Sequence, residues 1–213
     1  MSGFCFDSQN WKDIKMQIIL ASNNSEKLIE FNQLFVATDF TIIPQSQFNV
    51  SEVAETGLTF VENAIIKARN ACLHAGLPVI ADDSGLVVDA LNGAPGVRSA
   101  RYAHEKATYQ ENCVALLSAL HNVPEEKRIA KFYCVLVYLR HSYDPSPVIC
   151  HGCWEGSILF ESSGQNGFGY DSIFFVPTHN CSAAELPLEI KNKISHRGQA
   201  LRKLLRVLHT LNN

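Results

Sequence analysis

The residues of this chain best able to do chemistry are Asp82-Asp83-Ser84-Gly85, two adjacent carboxylates, a hydroxyl and a glycine at the end of a short apolar run. If Leu77 to Ala81 is a buried strand, successive side chains face opposite ways, so Asp82 and Asp83 cannot both look into one groove and at most one is chemical. The same residues also read as a plain turn, because Asp, Ser and Gly end strands through local hydrogen bonds. Other stretches supply parts that an acidic strand end could use. Ser22-Asn23-Asn24-Ser25-Glu26-Lys27 follows the apolar run Gln17 to Ala21 and leads into Leu28, Phe31, Leu34 and Phe35 at helical spacing. Such a strand-to-helix loop aims unpaired N–H groups and the positive end of the helix dipole at an anion. Lys27 in the first turn opposes that dipole unless an anion binds; a solvated lysine beside an Asn/Ser cap is the alternative. His196 and Arg197, behind a Ser195 cap, repeat the arrangement, and two such cases in one chain favour a polyanionic ligand. Gly164 to Asp171 is dense in glycine around Phe168 and Tyr170, which suits close backbone approach to a planar ligand with rings stacked on it, although a surface loop shares that composition.

Whole-chain properties narrow the partner. The 213 residues are 46% hydrophobic and carry a net charge of −3, which fits one globular domain and gives no general attraction to nucleic acid or anionic lipid. Seven scattered cysteines suit a reducing compartment better than a disulfide framework. With no leader-like or membrane-spanning run, the expectation is a soluble, cytoplasmic protein acting on a small molecule. Residues 1–15 lack a clear period and read as an extension, with Phe4, Phe6 and Trp11 able to pack on the surface; residues 16–213 read as the single functional domain.

The positioning elements alternate between β and α periods. After the first strand and helix, Phe40 to Ile43 forms a strand ended by Pro44, and a polar connection carries Glu52 and Glu55. Thr59-Phe60-Val61-Glu62 is a capping box opening a helix with Phe60, Ala64, Ile65, Ala68, Ala71, Cys72 and Ala75 on its apolar face, Asn63, Lys67, Asn70 and His74 opposite, and Gly76 as the stop. Beyond the acidic pair, Val87 to Leu91 continues the strand and Asn92 to Gly96 turns it; Arg98 and Arg101 are phosphate ligands or, more simply, partners for acids. Thr108 to Glu111 is a second capping box, with Tyr109, Cys113, Leu116, Leu117 and Leu120 as the buried stripe. Arg128 to Arg140, apolar on both faces, is a central strand, and Val148 to Trp154 its antiparallel partner. Cys150 and Cys153, three apart in that strand, place their thiols on opposite faces, against a metal or redox pair. Pro187 to Ile190 starts a short helix, and Leu201, Leu204, Leu205 and Leu208 face inward from the last one. Mixed pairings and alternating elements predict an α/β sheet.

Taken together, these stretches resemble the inosine triphosphate pyrophosphatases, the noncanonical purine nucleoside triphosphate pyrophosphatases. The resemblance rests on Ser22 to Lys27, Glu55-Thr56-Gly57, Phe60 to Ala64, Ala81 to Leu86, Gly93 to Val97, Ser99 to Tyr102, Gly167 to Asp171 and Ile194 to Gly198, eight motifs in order between Met16 and Leu211. Asn23 replaces a common glycine and Ser172 a frequent proline. The resemblance implies an elongated, two-lobed fold around a mixed central sheet with flanking helices, a nucleotide cleft between the lobes, and a homodimer. It implies Mg²⁺-dependent hydrolysis of ITP, dITP and XTP to the monophosphate and pyrophosphate. Asp83 would bind the metal with Glu55, deprotonate the attacking water, or do both in turn, leaving Asp82 as an acid that supports the site from behind or is structural. Ser22, Asn23, Asn24, Ser25, Glu26, Lys27, Ser84 and Lys191 would hold the nucleotide, with Lys27 and Lys191 on phosphate. Phe168, Gly169 and Tyr170 would wall the base, with Asp171, His196 and Arg197 at its edge. A binding protein that has lost catalysis and a pyrimidine-directed pyrophosphatase are the competing readings; a nucleotide panel separates all three.

Overall fold

The computed structural model describes residues 15–212, so all of the extension but Lys15, with Phe4, Phe6 and Trp11, lies outside the described residues. Twelve elements follow in chain order: β1 (Met16–Leu20), α1 (Ser25–Phe35), β2 (Phe40–Pro44), α2 (Phe60–Ala75), β3 (Val79–Val88), α3 (Tyr109–Ala119), β4 (Ile129–Leu139), β5 (Val148–Ile158), β6 (Phe174–Val176), β7 (Cys181–Ser182), α4 (Leu188–Ile194) and α5 (His196–Asn212). They build one mixed sheet of 7 strands in the order β2-β1-β3-β4-β5-β6-β7. β1 is parallel to both β2 and β3, and every pairing from β3 to β7 is antiparallel. The run that is apolar on both faces, β4, is the middle strand, as its composition requires.

Three apolar cores organise the two lobes. α1 and α5 cover one face of the first lobe through Phe31, Phe35, Leu201, Leu204 and Leu208 against Ile18, Ile80 and Leu136. α2 covers the opposite face, with Ala64, Ala68 and Ala71 against Ile19, Val79 and Val137. The second lobe packs Leu116 of α3 and Leu120 just past its end against Leu86, Val88, Trp154 and Phe174. β3 runs through both lobes: Ile80 and Ala81 belong to the first, Leu86 and Val88 to the second, and Asp82 to Gly85 lie at the waist between. There a polar segment can be reached from outside without breaking either core.

The waist is strand. The expected turn after Ala81 does not form; β3 stays in register with β4 from Val79↔Leu139 to Val88↔Ala130, including Asp82↔Leu136 and Asp83↔Val135. Asp, Ser and Gly have poor strand propensity, but a neighbour apolar on both faces holds the ladder together and packing decides. Gly85 shows the constraint: a Cβ there would stand 2.5 Å from the Gly96 carbonyl oxygen and 2.6 Å from Ser99 Oγ, in the short 3₁₀ segment pressed onto the strand.

The helix ends follow sequence chemistry. Both expected capping boxes form, Thr59 with Glu62 and Thr108 with Glu111, and Gly76 closes α2 in the left-handed conformation. Ser195 accepts the Gly198 N–H at the start of α5. α4 runs to Ile194 rather than stopping at Ile190. The first turn of α5 presses on β5 so closely that a Cβ on Gly152 would overlap the His196 carbonyl oxygen. Gly152→Ala is therefore expected to cost about 1–3 kcal/mol of stability, read as a lower melting temperature in thermal denaturation. Cys150 packs in the first-lobe core, Cys153 is half-buried, and both thiols are free. Among the described residues no helix is long and apolar enough to cross a membrane.

Candidate active site

A cleft of about 790 Å³ lies between the lobes, within the range of small-molecule sites. Its walls come from the loop after β1, the connection before α2, the middle of β3, the Arg98 to Arg101 segment, the start of α3, the Phe168 to Asp171 loop and the junction of α4 with α5. Strand alternation divides the acidic pair as expected: Asp82 faces α1 and α5, and Asp83 faces α2.

On the Asp82 side, buried charges alternate in a chain. Lys27 Nζ donates to Asp82 Oδ1 and Arg197 Nε to Asp82 Oδ2 at 2.7 Å. Arg197 Nη1 donates to Glu30 Oε2 at 2.6 Å; Lys191 Nζ reaches Glu30 Oε1 at 3.2 Å and Asp171 Oδ2 at 2.6 Å. Burial alone would push Asp82 up, but Arg197 and Lys27 outweigh it and hold the carboxyl well below the usual carboxylate range. Glu30 is lowered too: burial opposes ionisation and Arg197 with Lys191 overcome it. At Asp171 burial wins over Lys191 and the carboxyl is raised. His196, stacked on Phe132 with ring centroids 4.8 Å apart, is pushed well below its ordinary value by burial and then by Arg197 and Lys191, so its ring is neutral.

This chain of charges corrects the expectation from helix dipoles. Lys27 is neither solvated nor waiting for an external anion, because Asp82 is its counter-ion and serves Arg197 as well. The cations in the first turns of α1 and α5 are compensated internally. The Lys191 ammonium sits 4.8 Å from the Phe168 ring centroid and pairs with Asp171.

On the Asp83 side, Lys67 Nζ donates to Asp83 Oδ1 and, at 2.9 Å, to Glu55 Oε1, while Arg101 Nη1 donates to Glu55 Oε2 at 3.0 Å. Burial raises Asp83 above the ordinary range despite Lys67 beside it. Glu55 is lowered, since Lys67 and Arg101 overcome the burial that opposes its ionisation. Burial disfavours the Lys67 ammonium, yet Asp83 and Glu55 more than restore it. Two carboxylates thus converge on one cationic point. Hard oxygen donors of this kind fit Mg²⁺, and Asp83 Oδ2 carries no protein hydrogen bond among the described residues. Because the cleft cations Lys27, Lys67, Arg101, Lys191 and Arg197 each already meet a carboxylate, a triphosphate would arrive with charge to spare, which a divalent ion offsets.

The remaining expected residues divide. Asn24 caps α1, its Oδ1 accepting the Lys27 N–H at 2.9 Å, while Ser22 Oγ accepts the Asn24 N–H, and Asn23 donates to Glu52 and accepts from Gln45. Ser22, Asn23, Asn24 and Lys27 line the cleft; Ser25 is exposed and bonds Glu26, which lines a separate cavity of about 350 Å³ beyond Phe168. Ser84 Oγ donates to Asp82 Oδ1. Phe168 and Gly169 lie at the cleft, and the Phe168 N–H donates to Asp171 at 2.8 Å. Tyr170 is nearly all buried in the second-lobe core with its hydroxyl on the Ser99 carbonyl at 2.8 Å, so little of it meets the cleft.

Sequence reasoning misses Lys67, Glu30, Arg101 as a Glu55 partner, and Tyr109 as a cleft residue. Periodicity puts Lys67 on the polar face of α2, but Asn63 on that face is fully buried, its Oδ1 accepting the Gly57 N–H, so the face looks inward. The signal for Glu30 is its position three residues after Lys27, on the same helix face. Tyr109, expected in the buried stripe, is 40% exposed and turns to the cleft. Arg98 pairs with exposed Glu105, the simpler of its two expected roles.

Comparison with known proteins converges on one group. The model of the Ham1 family matches residues 18–207. A protein named dITP/XTP pyrophosphatase from Vibrio parahaemolyticus is 59% identical over 188 residues, covering 88% of this chain and 94% of the relative. One of the same name from Vibrio cholerae is 55% identical, covering 90% and 96%. Among solved structures, a HAM1 protein from Coxiella burnetii superposes with a TM-score of 0.86 at 52% identity, covering 92% of this chain and 99% of its own.

Proposed function

The chain belongs to the Ham1 family, and we propose that it is an Mg²⁺-dependent nucleoside triphosphate pyrophosphatase that converts dITP, ITP and XTP to the monophosphate and pyrophosphate, keeping noncanonical purines out of nucleic acids. The observation that carries this reading is the pairing, across one cleft, of Glu55 and Lys67, whose ammonium also bonds Asp83, with a ring-lined polar pocket at Phe168, Asp171, Lys191 and His196. One end suits phosphates and the other a purine. The homodimer and the cytoplasmic setting implied by the resemblance belong to the same proposal.

Asp83 and Glu55 would hold Mg²⁺, which when bound neutralises phosphate charge and leaves the α-phosphorus more open to attack. Asp83 orients a water and takes its proton as the water oxygen bonds to the α-phosphorus; the bond from that phosphorus to the α,β-bridging oxygen breaks and pyrophosphate leaves. A carboxyl raised by burial is a better base than an ordinary one, since proton affinity moves toward the working pH. Lys67 and Arg101, with the N–H groups around Asn24, face the charge that spreads over the phosphate oxygens. At the other end Phe168 packs on the base. Lys191 spends two N–H groups on Asp171 and Glu30 and keeps a third to donate to a 6-keto oxygen, which adenine lacks. Against adenine's 6-amino group that donor would be buried without a partner, a penalty large enough to select.

Pyrophosphate release measured on a panel of ITP, dITP, XTP, GTP and ATP tests the reading. Turnover of the first three with Mg²⁺, loss with excess EDTA and recovery on restoring the ion are expected. Equal rates on ATP would remove the base-selective reading, and equal rates with EDTA the metal.

A further inference from the structure

Tyr109 lines the cleft between the two ends assigned above. It is the first residue of α3, and its hydroxyl oxygen accepts a hydrogen bond from Asn24 Nδ2 at 3.0 Å, across 85 positions of chain. Its ring centroid is 5.9 Å from that of Phe168, at an interplanar angle of 42°. One side chain therefore touches the loop placed at the phosphates and the ring placed at the base. Among the described residues the hydroxyl makes no other hydrogen bond, so its proton is available to a ligand. In a nucleoside triphosphate the pentose lies between base and phosphates, and Tyr109 occupies that span of the cleft.

We propose that Tyr109 is the sugar-contacting residue of the site, its ring packed on the pentose and its O–H donated to a sugar hydroxyl. The assignment rests on the nucleotide reading above. Tyrosine suits the place because a stiff apolar body fits the carbon face of a sugar while a polar tip bonds its edge. The Asn24 contact adds a tie across the cleft: the residue that caps α1 also fixes the phenol.

The test compares a ligand that has a sugar with one that does not. For Tyr109→Ala, the KM for dITP with Mg²⁺ and the calorimetric Kd for its uncleavable α,β-methylene analogue are expected to rise about tenfold with kcat changed by less than about twofold, and Tyr109→Phe, which keeps the ring, to show about a threefold rise. The inhibition constant and Kd of inorganic tripolyphosphate, which has phosphates alone, are expected to stay at the parent value in both variants. A parallel loss for tripolyphosphate would reduce Tyr109 to a support for the Asn24 loop and overturn the proposal. An unchanged dITP constant in the folded Ala variant would overturn it too. A parent that binds dITP without releasing pyrophosphate from dITP or XTP would instead defeat the catalytic reading, while the ratio of the two Kd values would still decide Tyr109.

Discussion

Asp83→Asn is expected to lower the rate of pyrophosphate release by about 10²- to 10⁴-fold, the range typical for loss of a general base, with the fold intact. Asn preserves the shape of the side chain on β3 and the ladder to β4, and Lys67 keeps Glu55 and the Asp82 carbonyl oxygen at 3.0 Å as partners. The sign of the stability change follows from the direction of the pKa. Burial raises Asp83 in the folded state, so its ionised form opposes folding at every pH above the ordinary carboxylate value. Removing that charge is expected to leave the melting temperature near the parent's or raise it. In the parent, activity should rise with pH through a limb displaced above about 3.9, and Asp83→Asn should lack that limb. A variant that turns over at the parent rate would remove Asp83 from the chemistry.

Asp82→Asn should do the reverse, a large loss of stability whatever it does to turnover. Among the described residues Asp82 is the sole carboxylate partner of Lys27 and the second of Arg197, and its side chain is fully buried. Breaking a buried charge cluster by removing one partner costs about 3–5 kcal/mol, a fall in melting temperature on the order of 10 °C for a chain of this length. The Asp82 pKa is depressed in the folded state, so its contribution is fully present above the unfolded value of about 3.9 and is lost as pH falls through the folded one. The gap between parent and variant, measured by thermal denaturation, should be full at neutral pH and close in strong acid. A gap of less than about 2 °C at pH 7 would mean that Lys27 and Arg197 find other partners, since that shift corresponds to under 1 kcal/mol. The two adjacent acids are thus separable: one variant loses rate and keeps the fold, the other loses stability.

This division is legible in the sequence because it depends on strand alternation alone. Alternation states that the two carboxylates part company, and does not state what either one meets. The partners lie on other elements, Lys67 on α2, Lys27 on α1 and Arg197 on α5, and only the packing of those helices on the two sheet faces brings them in. The same limit explains Lys27. Read with its own helix it looks like a cation in want of an anion; packed against β3 it already has one.

Local chemistry is enough wherever a signal and its partner sit within a few residues. Thr59 with Glu62, Thr108 with Glu111 and the Gly76 stop bond within their own turns, and each forms as its sequence requires. The central place of β4 follows from its composition, and the order of eight motifs suffices for the family and, through it, the two-lobed α/β fold. Tertiary structure alone decides that Asp82 to Gly85 is continuous strand, that Lys67 faces inward and that Tyr109 leaves its apolar stripe for the cleft. In each case the deciding free energy comes from contacts between elements distant in the chain, a β4 ladder, a buried ion pair and a bond from Asn24, and no local propensity or period encodes those.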